Sequence, residues 1–231
     1  MALPYFYEPE ITTGTTAFTL SEETSKHCIK VLRMQLGEQM HLTDGMGNLF
    51  TATILSPDKK STEVNIVATE TTQRLPKKVS IAISLLKNTS RFEWFLEKAT
   101  EIGVSEIIPL ICDRTERQHF RYDRMNNVLI AAMLQSQQTW LPHLHEPRPF
   151  EEVMVSASQK FIAHCEPQQK QEMKHFSIAE NVLMLIGPEG DFSPEEIQLA
   201  FKNNFHPVSL GQTRLRTETA GVVAATLLMN L

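Results

Sequence analysis

The sequence is poor in cysteine and contains no long apolar run. Its three cysteines, Cys28, Cys112 and Cys165, stand far apart and form no C-x-x-C pair, so neither a disulfide framework nor a cysteine-based metal site is indicated. No apolar stretch approaches the roughly 20 residues of a membrane-spanning helix. The first residues, Met-Ala-Leu-Pro, do not begin a signal peptide. We therefore expect a cytoplasmic protein without a membrane partner.

Two missing motifs exclude common classes of nucleotide-binding enzyme. A G-x-x-x-x-G-K-[ST] loop is absent, which argues against a P-loop hydrolase. Lys87-Asn88-Thr89 stands where a dinucleotide-binding oxidoreductase would carry G-x-G-x-x-G. His143 and His145 could share a metal ion, but no third ligand follows at a suitable spacing. We therefore expect no metal.

An excess of basic residues is also missing, since the formal net charge is -5. A protein that binds nucleic acid needs clustered lysine and arginine to contact phosphates. The distribution of charge matters more than its sum, and two stretches, residues 74–91 and 114–124, hold local groups of basic residues. These groups are compatible with RNA binding, and they are equally compatible with an ordinary solvated surface.

The chain is 231 residues long, 42% hydrophobic and 21% charged, which suits a globular protein of one large or two small domains. Residues 1–72 form a β-rich pattern in which one helix, capped by Ser21, interrupts short strands. This pattern predicts a small compact barrel. The strands are expected at 5–7, 17–20, 39–43, 48–55 and 63–68, and a polar linker at 69–76.

From residue 73 onward, strands alternate with helices, which predicts an α/β domain over 73–231 built on a parallel sheet. One helix is expected to begin at a Ser90–Glu93 capping box and to stop at Gly103, and another to run over about 122–138. A third is expected from a Ser193–Glu196 capping box to about 203–204, and a fourth, apolar on nearly every face, from Thr217. The strands are expected at 79–86, 106–111, 160–164, 182–186 and 207–210.

Two loops near the C-terminus each connect a predicted strand to the start of a helix. The first is Gly187-Pro188-Glu189-Gly190, and the second runs over residues 210–216. In open α/β sheets, ligands bind where such loops meet at the carboxyl ends of neighbouring strands. Glycines permit close backbone approach, and helix N-termini favour polar or anionic groups. Either loop alone could be an ordinary tight turn, but the pair predicts a binding site.

These two loops also carry a family resemblance. Gly187-Pro188-Glu189-Gly190, Leu210-Gly211 and Leu215-Arg216-Thr217-Glu218-Thr219-Ala220 resemble the signature of the SPOUT methyltransferases, and within them the family that methylates N3 of a uridine in small-subunit ribosomal RNA. The resemblance extends through Lys98-Ala99-Thr100-Glu101-Ile102-Gly103-Val104 and spans almost the whole chain. It implies a trefoil-knotted C-terminal domain, an N-terminal PUA-like RNA-recognition domain, S-adenosylmethionine as cofactor, 16S ribosomal RNA or the small ribosomal subunit as substrate, and a homodimer.

The resemblance also implies roles for individual residues. By this resemblance the cofactor is expected to contact the two loops, at Leu185, Ile186, Gly187, Glu189, Gly190, Leu210, Gly211, Leu215 and Thr219. Topology, and not the resemblance, adds the end of the strand at 160–164, with His164, as a third wall. RNA contacts are expected at His27, Arg33, Lys87, Arg91 and Arg117. Read without the family, His27 is equally a helix histidine, and Arg33 could interact with a helix dipole.

Methylation at uridine N3 requires the loss of the N3 proton, whose pKa lies a couple of units above neutral, so that exposing the anion costs roughly 3 kcal/mol. A permanent cation beside the uracil carbonyls would stabilise the developing charge, and Arg216 is the candidate. Glu218 or Glu189 could accept the proton. Glu218 could instead only complement the helix dipole, and Glu189 only brace its loop.

Several residues depart from the family pattern and weaken the expected RNA contacts at their positions, namely Tyr5, Leu134, Gln137, Gln138 and Thr213. Two other functions stay open. The same fold could modify another RNA position, or the chain could be a dimeric RNA-binding or ribosome-assembly protein without catalytic activity. A side chain that blocks either loop would favour the non-catalytic alternative, and the sequence of the loops shows none.

Overall fold

The computed structural model describes residues 3–116, 119–154, 157–167 and 170–231. The chain divides into two compact units. The N-terminal unit comprises Met1–Arg74 and Met133–Leu141, and the C-terminal unit comprises Leu75–Ala132 and Pro142–Leu231. Residues 133–141, which the sequence division into 1–72 and 73–231 assigns to the second domain, thus pack with the first unit.

The N-terminal unit is built on a five-stranded sheet. Its elements are β1 (Tyr5–Tyr7), β2 (Ala17–Thr19), α1 (Glu22–Lys26), β3 (Gln39–Thr43), β4 (Asn48–Ser56) and β5 (Glu63–Thr71). The strand order is β1-β3-β4-β5-β2, with β1 parallel to β3 and the other pairs antiparallel. Alternate residues of β4, namely Phe50, Ala52 and Ile54, are buried in the core, as the two-residue period of a strand requires.

Local signals placed most of these elements correctly. Ser21 caps α1 as predicted, and its Oγ accepts from the Thr24 N–H. The helix then continues into a π-helical turn, His27–Val31, which was not predicted. The linker predicted at 69–76 is wrong in its first part because β5 continues to Thr71, whose hydroxyl donates to Asn48 Oδ1 at 2.8 Å.

The C-terminal unit contains an eight-stranded sheet in which all the strand pairs are parallel, as predicted. The strand order is β11-β13-β10-β12-β6-β7-β8, and β9 also pairs with β7. The elements are β6 (Lys78–Ser84), α2 (Thr89–Ile102), β7 (Glu106–Ile111), α3 (Tyr122–Gln135), β8 (His143–Leu144), β9 (Arg148–Pro149), β10 (Gln159–Ala163), β11 (Gln171–Glu172), β12 (Asn181–Ile186), α4 (Pro194–Lys202), β13 (His206–Ser209) and α5 (Thr217–Asn230), with 3-10 turns at Phe150–Val153 and Met173–His175.

Of the two capping boxes predicted in this unit, one is correct and one is wrong. Ser193 and Glu196 form the predicted capping box of α4. The capping box predicted at Ser90–Glu93 is wrong, because α2 begins earlier and Asn88 accepts from the Ser90 N–H at 2.9 Å. Glu93 instead binds Arg124. Gly103 ends α2 in a left-handed conformation, as predicted.

Helix α5 is apolar because it packs against both α2 and the sheet strand β6. The contact is close at Gly221, where an added Cβ would lie 2.6 Å from a carbon of the Phe95 ring and 2.9 Å from Ile83. Burial on more than one side explains the small polar face of this helix. Among the described residues, no helix is long and apolar enough to cross a membrane.

Candidate active site

A cavity of about 830 Å³ lies at the carboxyl ends of three neighbouring parallel strands of the C-terminal unit. Strand β10 pairs with β12 on one side and with β13 on the other. Because the strands are parallel, the loops that follow them meet at the same edge of the sheet. The cavity is lined by residues that follow all three strands, including His164, Gly187 and Gly211. The structure therefore brings together the two loops that the sequence singled out.

The residues expected to hold the cofactor fall into two groups. Those in the cavity wall are His164, Ile186, Gly187, Glu189, Leu210, Gly211 and Leu215. The other three lie elsewhere. Leu185 is buried in the hydrophobic core of the C-terminal unit, the Gly190 carbonyl accepts from Arg114, and Thr219 lines a second cavity.

The loop after β12 is fixed by side chains that the sequence reasoning missed. Arg114 Nη1 donates to the Gly190 carbonyl at 2.8 Å and to the Phe192 carbonyl at 3.3 Å. Asp191 has a φ of 65°, and its carboxylate accepts from the Cys165 N–H at 2.7 Å and from the Phe192 N–H at 2.9 Å. These bonds connect the loop to the end of β10 and to the chain after β7. The Asp that follows Gly190 was the one local signal, because Asp tolerates the left-handed region.

His164 lies in the cavity wall, where its main-chain carbonyl accepts from Lys170 Nζ. Its side chain belongs to a residue that is 7% exposed, and neither ring nitrogen has a partner among the described residues. Burial, together with the charge of Lys170, lowers the pKa of His164 below its usual value. A neutral imidazole in this position has one donor and one acceptor free for a ligand.

A second cavity of about 620 Å³ adjoins the first. Its walls come from the first two turns of α2, the first turn of α5 and the loop between β13 and α5. The lining residues are Ser90, Arg91, Trp94, Arg214, Leu215, Arg216, Glu218 and Thr219. Arg91 and the three residues 214–216 line both cavities. The loop before α5 is thus a wall common to the two spaces.

The two predicted catalytic residues lie at this common wall and at the start of α5. Arg216 is the exposed N-cap residue of α5. Glu218 is 6% exposed; its Oε1 lies 3.7 Å from Arg91 Nε, and its Oε2 has no partner among the described residues. Arg91 Nη1 also lies 3.2 Å from Glu189 Oε1. Arg91 therefore connects the carboxylate of Glu189, in the loop after β12, with that of Glu218 in the first turn of α5.

The other predicted RNA-binding residues are spread over both units. In the N-terminal unit His27 and Arg33 are both exposed, and the His27 ring packs edge-on against Phe6 at 5.6 Å. Lys87, in the C-terminal unit, pairs with Glu116 at 2.7 Å. Arg117 lies outside the described residues.

Two of the residues that depart from the family pattern, Tyr5 and Gln138, are hydrogen-bonded to each other. The Tyr5 hydroxyl donates to the main-chain carbonyl of Gln138 at 3.1 Å, within the N-terminal unit. Gln137, beside it, has a φ of 56°. Thr213, the departure in the last motif, lines the first cavity.

These features define an α/β protein with a cavity at the carboxyl ends of parallel strands. Residues 73–229 match the family model described as the RNA methyltransferase domain, and residues 20–67 match the RNA methyltransferase PUA domain. The chain therefore belongs to the RNA methyltransferase family and carries a PUA-like N-terminal domain, as predicted.

Solved structures and curated proteins agree with this assignment. The chain is similar to a probable rRNA-methyltransferase from Porphyromonas gingivalis, with 38% identity, a TM-score of 0.90 and coverage of 96% of this chain and 95% of that one. It is also similar to a putative methyltransferase from Legionella pneumophila solved with bound SAM, with 32% identity, a TM-score of 0.88 and coverage of 99% and 97%. A curated relative, the Synechocystis "Ribosomal RNA small subunit methyltransferase E", is 29% identical over 89% of this chain and 70% of its own length.

Proposed function

We propose that this protein transfers a methyl group from S-adenosylmethionine to N3 of a uridine in 16S ribosomal RNA. The observation that carries the proposal is the common wall of the two cavities, residues 214–216. A ligand in the first cavity and a base in the second would lie next to each other where these residues line both spaces. The curated relatives named as small-subunit ribosomal RNA methyltransferases support ribosomal RNA as the substrate.

The residues of the first cavity fit S-adenosylmethionine. The cavity combines apolar side chains such as Ile186 and Leu215 with the two free ring nitrogens of His164. Apart from the two residues adjacent to Gly211 in the chain, no atom of the described residues lies within 4 Å of the position that a Cβ would take on it, so a ligand can approach the main chain there. The cofactor, when bound, supplies a methyl group on a positively charged sulfur. The residues that would hold it are His164, Ile186, Gly187, Glu189, Leu210, Gly211 and Leu215. The backbone of Leu185 and Gly190 and the side chain of Thr219 would lie further from it.

Arg216 and Glu218, which both line the second cavity, are the residues to which we assign the chemistry at the base. The buried Oε2 of Glu218 has no donor in the described part of the chain, and it can accept a proton from N3. Arg216 lines both cavities, and its permanent charge can stabilise the negative charge that develops on the uracil carbonyls as N3 loses its proton. Glu189 pairs with Arg91, so we assign it to bracing the loop rather than to proton transfer.

The remaining expectations belong to this proposal. His27, Arg33, Lys87, Arg91 and Arg117 would contact the RNA, and the PUA-like unit would recognise it. A trefoil knot in the C-terminal segment and a homodimer are likewise proposed from the family. Of the two alternative functions, the non-catalytic one is disfavoured because the first cavity is open at both loops.

The test is methylation of small ribosomal subunits and of naked 16S RNA by the purified protein, with the product base identified by mass spectrometry. We expect N3-methyluridine. Glu218→Gln should lower kcat about 100-fold or more, the usual contribution of a general base. Glu195→Gln is the matched control, since Glu195 is an exposed carboxylate in the first turn of α4. Methylation at a different atom, or no methylation of either substrate, would reject the proposal.

A further inference from the structure

We propose that the second cavity receives the target base and that Trp94 is the surface on which that base stacks. The inference rests on the proposed function, because it assigns the substrate site of that reaction. The cavity, about 620 Å³, lies in the range of small-molecule sites. Four of its residues, Ser90, Trp94, Glu218 and Thr219, do not line the first cavity, so the two spaces offer different chemistry.

Trp94 is unusual among the aromatic residues of α2. Phe92 and Phe95 are buried in the core, whereas Trp94 is 42% exposed. Trp94 is a lining residue of the second cavity, as are Arg91 and Arg216. An exposed aromatic ring flanked by arginines is the arrangement by which proteins hold an unpaired base, because stacking needs only the π-face of the base and the cations contact its polar edge.

Glu218 supplies a hydrogen-bonding requirement in the same cavity. Its Oε2 is buried and has no partner among the described residues, and a buried acceptor without a donor is unfavourable. Uracil presents a donor at N3, whereas the N3 of cytosine is an acceptor. A carboxylate opposite N3 would therefore select uracil over cytosine, since the wrong base leaves two acceptors facing each other.

The arginines of the loop complete the site. Arg214 and Arg216 both line the cavity and can donate to the two carbonyl oxygens that flank N3 of uracil. In the transfer, the N3–H bond breaks and its proton moves to Glu218 Oε2. N3 then forms a bond to the methyl carbon, and the electron pair of the broken carbon–sulfur bond remains on sulfur. Trp94 takes no part in these bond changes and acts as a positioning residue.

The experiment measures binding rather than methylation, on the full chain. The protein has two tryptophans, so Trp140→Phe leaves Trp94 as the one indole reporter. We expect uridine 5′-monophosphate to quench its fluorescence, and to bind about 10-fold more tightly than cytidine 5′-monophosphate or N3-methyluridine 5′-monophosphate. The fluorescence quench should depend on nucleotide concentration in the same way as binding to the unsubstituted protein, measured by calorimetry. A difference between the two curves would show that Trp140→Phe disturbs the site.

Two variants complete the test. Trp94→Ala should weaken uridine monophosphate binding roughly 10-fold, as expected for the loss of one stacked base, and Trp94→Phe should restore most of it. Glu218→Gln should bring the uridine and cytidine affinities close together, because an amide can donate as well as accept. Equal binding of the uridine and cytidine nucleotides by the unsubstituted protein, or unchanged binding by Trp94→Ala, would overturn the inference. Neither result would contradict the proposed function. The proposed function is rejected only if the unsubstituted protein does not form N3-methyluridine.

Discussion

His164 illustrates how one side chain can make stability depend on pH. Burial, together with Lys170, lowers its pKa in the folded protein, while the unfolded chain keeps a value near 6.5. Between these two pKa values the unfolded state binds more protons than the folded state. Stability therefore falls as the pH decreases from about 6.5 toward the folded pKa.

We predict that His164→Leu removes the part of the stability loss at acidic pH that comes from protonation of His164 in the unfolded state. The urea midpoint of the unsubstituted protein should fall more between pH 7.5 and pH 5.5 than that of the variant, as followed by circular dichroism. His206→Leu, which replaces an exposed histidine on β13, should retain the dependence of the unsubstituted protein. Parallel curves for His164→Leu and the unsubstituted protein would show that His164 does not titrate as described.

At the level of elements, the start of α4 connects the cavity loop to the chain after β7. The Ser193 Oγ accepts from the Glu196 N–H and donates to Asp113 Oδ2 at 2.6 Å. Glu196 in turn accepts from the main-chain N–H groups of Ser193 at 2.8 Å and of Asp113 at 3.0 Å. The cap therefore holds two loops as well as one helix end.

We predict that Ser193→Ala costs about 1–2 kcal/mol of unfolding free energy, toward the upper part of the range for N-cap substitutions. The upper part applies because the hydroxyl also holds Asp113. Ser21→Ala, at the exposed cap of α1, is the comparison in the other unit. Denaturant titration measures both, and an unchanged midpoint for Ser193→Ala would refute the assigned role.

At the level of the whole molecule, residues 133–141 return from α3 to complete the N-terminal unit. The Gly47 N–H donates to the Thr139 carbonyl at 2.8 Å, and the Leu141 N–H donates to the Gly45 carbonyl at 2.9 Å. The Trp140 indole lies against Gly47, where an added Cβ would meet the ring at 2.4 Å. The first unit is thus built from two separate parts of the chain.

We predict that Gly47→Ala destabilises the protein by about 2–4 kcal/mol, from a positive φ that costs about 1–2 kcal/mol and from overpacking against Trp140. Gly14→Ala is the matched control, since Gly14 has a φ of +89° and, apart from its two neighbours in the chain, no described residue has an atom within 4 Å of the added Cβ. Gly14→Ala should lower the free energy of unfolding only by the roughly 1–2 kcal/mol that the positive φ costs. Equal urea midpoints for the two variants would show that residues 133–141 do not depend on this contact.

The sequence by itself determined the features whose signals are local. The capping box at Ser193, the stop at Gly103 and the alternation in β4 depend on residues a few positions apart. The continuous apolar run Val182–Ile186 likewise indicated a strand, β12, that is buried on both faces of the sheet. Because parallel strands bring their carboxyl ends to one edge, the sequence also predicted that the two glycine-containing loops would meet.

Only the tertiary structure decided features that depend on distant partners. β5 extends to Thr71 because Asn48 pairs with it, and the short strands β8, β9 and β11 exist through pairing with β7 and β13. The burial of His164, the Arg114 bonds to the loop and the second cavity beside Trp94 arise where separate elements meet. Contacts between residues far apart in the chain leave no periodic pattern in the sequence. They therefore become visible only in the folded structure.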